Sequence, residues 1–182
     1  MKAKTDKAPQ IDKPRWNRST IIKRSLDAVL VLALIYAALL AFGFVRRGSN
    51  FEEGTKAPDI TVRALDSGKP VSLKDSAGKP TLLVFFSVSC PACRRELPDV
   101  QEMMERAGEK LNVLVVSADS PQELKSYWTK EGLKLPVGVD GGAAHRAYQV
   151  STIPYSVVID GEGKVRADFV GGVRWADLES LL

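Results

Sequence analysis

Apolar residues fall into runs of different kinds along the 182-residue chain, and each kind predicts a different element. The longest is "AVLVLALIYAALLAFGFV", from Ala28 to Val45, which holds 18 positions without a charge and is apolar on every side. A surface helix would keep a polar face, so this run predicts a single membrane-spanning helix. The "AFG" at 41–43 has the small-x-small form of a signal-cleavage site. The run nevertheless exceeds the roughly 7–15 residues of a signal core, which favours an uncleaved anchor.

After the apolar run the pattern changes. "GSNFEEGTKAP" is polar and rich in turn formers, and predicts a linker. "DITVRAL" and "KPVSL" read as short strands around the turn "DSGK", while "TLLVFFS" (81–87) and "LNVLVVSAD" (111–119) are continuous apolar runs suited to strands covered on both faces. A helix is expected from Pro91 to about Ala107. A second begins at Ser120, with Pro121 at its first position and Glu123 completing a capping box, and stops at Gly132. "LPVGVD", a helical "GGAAHRAYQV", the strand "YSVVID", the turn "GEGK", the strand "VRADFVGG" and a terminal helix "RWADLESLL" complete the chain. Strands alternating with helices and then a hairpin predict an α/β domain, a central mixed β-sheet flanked by helices. The expected organisation is a basic tail at 1–27, an anchor at 28–45, a linker at 46–57 and a domain at 58–182.

Charge sets the orientation. Residues 1–47 carry ten Lys/Arg against three Asp/Glu, a balance of +7, whereas residues 48–182 carry sixteen against nineteen, a balance of −3. Lys2, Lys4, Lys7, Lys13, Arg15, Arg18, Lys23 and Arg24 precede the apolar run and only Arg46 and Arg47 closely follow it. Basic flanks stay in the cytoplasm, so the domain is expected on the far side of the inner membrane, in the periplasm or its equivalent. The overall +4 belongs to the tail, whose partner is the lipid bilayer. A nucleic-acid footprint would have to lie on the folded domain, so no nucleic-acid partner is expected.

The chain has two cysteines, Cys90 and Cys93, in "FFSVSCPACRREL". The predicted strand ends just before them and the predicted helix starts between them, which places Cys90 at the N-cap. Unpaired backbone N–H groups and the helix dipole there favour a thiolate, and Pro91 fits the first helical position because its missing N–H has no helical partner. Cys90 is therefore expected to attack and Cys93, one turn into the helix, to resolve. A structural zinc needs about four ligands, and the single histidine, His145, leaves the set short. Cu(I) tolerates fewer, so two thiolates with His145 stay open as a copper carrier. A bond across so short a loop adds little stability, and suits a disulfide that is made and broken.

"LLVFFSVSCPACRRELP", followed by "VSTIPYSVVIDGEGKV", resembles the membrane-anchored branch of the thioredoxin superfamily, the TlpA and ResA type, over residues 56–182. The resemblance implies a thioredoxin-like fold and protein-disulfide oxidoreductase activity, with no cofactor beyond the redox-active Cys90–Cys93 disulfide. It assigns Cys90 as nucleophile and Cys93 as its partner. It makes Pro154 a cis-proline facing the cysteines, with the backbone of Ile153 open to a client strand, and Pro98 a proline within the helix. Clients would be exported thiol or disulfide proteins, among them apocytochromes c, with a membrane electron donor behind them. "SCPAC" is also similar to proteins that mature the beta subunit of methylamine dehydrogenase, and to peroxiredoxin-like redoxins, which carry Thr where Ser87 stands. A thiol peroxidase thus stays open beside the disulfide reductase or isomerase.

Two positions depart from the family. Ser89 replaces a common Trp, and Val84 stands where many thioredoxins bury a proton-moving acid. Glu96 is close by, but on a helix it is expected to be a solvated charge.

Overall fold

The computed structural model describes residues 29–38 and 50–182. The chain divides into two units, Met1–Arg46 and Arg47–Leu182. In the first, residues 29–38 are helical and exposed; the rest of the expected anchor and the basic tail lie outside the described residues. Among the described residues no helix is long and apolar enough to cross a membrane.

The second unit is built on seven strands: β1 Thr61–Ala64, β2 Pro70–Ser72, β3 Thr81–Phe86, β4 Asn112–Ser117, β5 Val137–Val139, β6 Tyr155–Ile159 and β7 Val165–Val170. Its helices are α1 Pro91–Ala107, α2 Pro121–Glu131, α3 Ala143–Ala147 and α4 Trp175–Glu179. The strands form one mixed sheet in the order β2-β1-β5-β4-β3-β6-β7. β3, β4 and β5 run parallel, and the remaining pairings are antiparallel.

β3 sits between β4 and β6, and all six of its residues are buried. Its alternate residues serve two cores, because successive side chains point to opposite faces. Leu82, Val84 and Phe86 pack with Cys93, Leu97 and Val100 of α1, Leu124 and Trp128 of α2, and Leu178 of α4. Leu83 and Phe85 pack with Ala144 and Tyr148 around α3, and with Ala57 and Ile60 ahead of β1.

Local chemistry sets the helix ends. Cys90 is the N-cap of α1, and Pro91 opens the helix. Ser120 and Glu123 form a reciprocal capping box on α2, and Gly132 closes it in the left-handed conformation that glycine adopts without penalty. The short helix at Leu73–Ser76, capped by Ser72 and Asp75, has no counterpart in the expected elements. The helical stretch expected at 141–150 shortens to the five residues of α3, because Gly141 and Gly142 both take positive φ and Gln149 follows with φ 53°.

Residues 50–57 lie against the sheet. Gly54 N donates to Val165 O at 2.7 Å and Val165 N to Thr55 O at 2.8 Å, while Ala57 N reaches Gly163 O. Asn50 N donates to Asp168 Oδ2 at 2.6 Å, and its side-chain amide reaches the carbonyls of Tyr148 and Gln149.

Candidate active site

The switch from β3 to α1 delivers the cysteines. After Phe86 the chain turns through Ser87–Ser89, with Cys90 N donating to Ser87 O at 3.1 Å. Cys90 and Cys93 are joined by a disulfide, their Cα atoms 5.3 Å apart. Cys90 is partly exposed and Cys93 is 1% exposed, so an approaching thiolate meets Cys90 first. Cys93 N donates to the Cys90 sulfur at 3.2 Å. That N–H is one of the donors a helix leaves unpaired at its start, and it stabilises negative charge on Cys90.

The Ile153–Pro154 peptide is cis, and Cys90 Sγ lies 3.8 Å from the Ile153 carbonyl oxygen. The four residues singled out in the sequence, Cys90, Cys93, Ile153 and Pro154, meet at one end of the sheet. Gly171 N bonds back to Pro154 O at 2.9 Å, tying the loop after β7 to the same place. Arg94 and Arg95 face solvent.

Glu96 overturns an expectation. It is 8% exposed rather than solvated, because it belongs to the inward stripe Cys93, Glu96, Leu97, Val100, Met103 and Ala107 of α1. The loop after β7 closes over it: Val173 N donates to Glu96 Oε1 at 3.1 Å, and a Cβ on Gly172 would sit 3.4 Å from the carboxyl. Ser156 Oγ donates to the same oxygen at 3.5 Å, whereas Oε2 has no partner among the described residues. Burial pushes the carboxyl above its ordinary range, against the two hydrogen bonds that favour the charged form. Residues three apart on a helix are neighbours, so a carboxyl whose proton affinity burial raises lies beside Cys93. Ser156 pairs across the ladder with Val84, so the polar group absent at Val84 is replaced from the next strand and from α1. The signal was present in the spacing of Glu96 from Cys93 and Val100.

His145 lies elsewhere. It stacks edge-on against Phe85, whose side chain faces the α3 side of the sheet, while Cys93 belongs to the α1 side. Burial lowers its proton affinity. The sheet thus separates it from Cys93, and the three-ligand set of a copper carrier does not form in this arrangement.

A second cluster went unnoticed in the sequence. Ser87 Oγ donates to Asp119 Oδ1 at 3.0 Å, Val88 N to Asp119 Oδ2 at 2.7 Å and Ser117 Oγ to the same oxygen at 2.8 Å. The parallel register pairs Phe86 with Ser117, so two further residues bring Asp119 level with Val88.

Residues 54–168 match the AhpC/TSA family. The chain belongs to that family. Within its thioredoxin-like members, thiol-disulfide oxidoreductase ResA of Bacillus thuringiensis subsp. konkukian is 32% identical over 165 residues, covering 87% of this chain and 95% of the relative. Methylamine utilization protein MauD of Paracoccus denitrificans is 34% identical over 131 residues, 71% of this chain and 64% of the relative. Among solved structures, a thiol:disulfide interchange protein of the thioredoxin family from Chlorobium tepidum superposes with TM-score 0.62 at 28% identity, over 72% of this chain and 95% of the other. This AhpC/TSA member is a thiol-disulfide oxidoreductase with the Cys90–Cys93 pair at the head of α1.

Proposed function

We propose that the protein works outside the cytoplasm, held to the inner membrane by residues 28–45, and reduces or isomerises disulfides in exported proteins, including apocytochromes c and periplasmic enzymes under maturation. The single observation that carries the chemistry is Cys90 at the N-cap of α1, bonded to buried Cys93 and next to the backbone carbonyl of Ile153. The Cys90 thiolate attacks a client disulfide, forming a mixed disulfide and releasing one client thiolate. Cys93 then loses its proton and attacks the Cys90 sulfur, releasing the second client thiolate and closing the disulfide. Two electrons pass to the client, and a membrane electron donor restores the dithiol. Glu96, buried one turn beyond Cys93 and with its proton affinity raised by burial, is the group suited, in its ionised form, to take that proton.

The membrane location rests on the uncharged 28–45 run and on the eight basic residues before it. Reduction, as against oxidation, rests on the resemblance to the ResA type. Full-length Cys93→Ser, reduced and expressed in a bacterium with a periplasm, tests the scheme by leaving Cys90 stalled on clients. Mixed disulfides with exported proteins are expected, and they disappear in Cys90→Ser/Cys93→Ser. Trapping of cytosolic proteins alone would refute the location, and failure of the wild type to reduce insulin with a catalytic dithiol would refute the chemistry.

A further inference from the structure

Ser87 and Ser89 stand in the turn that leads from β3 to the attacking Cys90, and the structure shows where their protons go. A carboxylate only accepts, so Ser87 donates its one hydroxyl proton to Asp119 Oδ1 at 3.0 Å. The Ser87 oxygen then has only lone pairs to offer, and it accepts from Ser89 Oγ at 2.9 Å and from Ser89 N at 3.3 Å. Ser89 is exposed beside Cys90, yet its proton also points inward along this chain. Asp119 is fixed in turn by the fully buried Ser117, whose hydroxyl donates to Oδ2 and accepts from Asp119 N at 3.1 Å. Its grip on Val88 N holds the backbone of the turn that carries Cys90.

We propose that Asp119 is a positioning residue for the redox site: it draws the Ser87 and Ser89 hydroxyl protons away from Cys90, leaving backbone N–H groups as the donors that stabilise the thiolate. The consequence is selectivity. A hydroxyl three residues before the attacking cysteine is the feature that left thiol peroxidase chemistry open, and here that hydroxyl is committed to a carboxylate on the next strand. Asp119 thereby tunes the sulfur toward disulfide exchange without touching it.

The inference rests on Cys90 being the attacking sulfur, and its test reads that sulfur with no client present. In reduced full-length protein, thiolate absorbance at 240 nm is followed against pH, with Cys93→Ser as background so that one thiol titrates. Ser89→Ala is expected to leave the Cys90 titration unmoved, since no proton of Ser89 reaches the sulfur. Asp119→Ala removes the charge and frees the hydroxyls, and it lowers the Cys90 pKa beyond the effect of the lost charge by about one unit for one hydrogen bond to a charged group. Adding Ser87→Ala and Ser89→Ala to Asp119→Ala recovers that unit and leaves only the shift due to the lost charge. A rise of the Cys90 pKa in Ser89→Ala, which perturbs only an exposed side chain, would overturn the proposal. So would an Asp119→Ala titration that the added Ser87→Ala and Ser89→Ala leave unchanged.

Discussion

Replacing Glu96 separates the two things its carboxyl does, accepting hydrogen bonds and holding a proton. Glu96→Leu removes the acceptor from Val173 N–H and from the Ser156 hydroxyl, both on buried residues. An unpaired buried N–H costs about 1–3 kcal/mol, and the hydroxyl, already 3.5 Å away, can turn elsewhere at lower cost. For a domain of this size a loss of about 2 kcal/mol lowers Tm by roughly 6–10 °C. Glu96→Gln keeps an oxygen for Val173 N–H and should cost under about 1 kcal/mol at low pH, where the native side chain is itself neutral. Rising pH then distinguishes them. Burial raises the proton affinity of Glu96 in the fold above the ordinary value of 4.5, so its stabilising contribution is complete below that value and is lost as pH climbs through the raised one. Glutamine has no such loss. Melting curves of the oxidised protein, in which the cysteines do not titrate, should therefore show Glu96→Gln gaining on the wild type between pH 4 and 8. A Tm difference that stays flat over that range, or moves the other way, would mean that the carboxyl is not held neutral by burial. In insulin reduction, Glu96→Gln should also slow turnover, since Cys93 would lose the group that takes its proton.

Other substitutions give equally direct readings. In Gly138→Ala the new Cβ would lie 2.8 Å from Val62 Cβ where β1 meets β5, so overpacking should cost about 1–3 kcal/mol in a denaturant melt, and Val62→Ala in the same chain should recover part of it. Ser120→Ala removes the cap of α2 and should lower stability by about 1 kcal/mol, with faster amide exchange at Glu123 as the local sign. Alkaline titration followed at 295 nm should leave Tyr148 and Tyr155 protonated until the fold is lost, because burial raises both and Asp168 beside the Tyr155 hydroxyl raises that one further; their ionisation should coincide with unfolding.

What the sequence disclosed follows the range of the forces involved. The start of α1 at Pro91, the capping box and glycine stop of α2, and the buried run of β3 depend on residues within a turn or a strand of one another, and they were legible. Cys90 and Cys93 were legible for the same reason, as a pair at one helix start. Pro154 became legible only through resemblance, since nothing in its neighbours shows that it faces a cysteine 64 positions earlier. The rest needed long-range register. Glu96 is buried because Val173, 77 positions later, closes over it, and Asp119 reaches Ser87 because β3 and β4 run parallel with Phe86 beside Ser117. Ser89, unexplained as a letter where a Trp is common, gains a role as the outer link of that chain of hydroxyls.

The docking of residues 50–57 bears on how this domain can be handled and how it survives. β7 is an edge strand, and an edge with unpaired N–H and C=O groups invites pairing with another molecule. Thr55 takes up both polar groups of Val165 together with Gly54, and the Asn50 clasp on Asp168 reaches further along the same strand. A shortened chain beginning at Pro58, where composition suggests the domain begins, would strip that cover and uncover a template for aggregation. One beginning ahead of Asn50 would keep it. The polar stretch that looks like tether is, from Asn50 onward, a protective hem on the sheet.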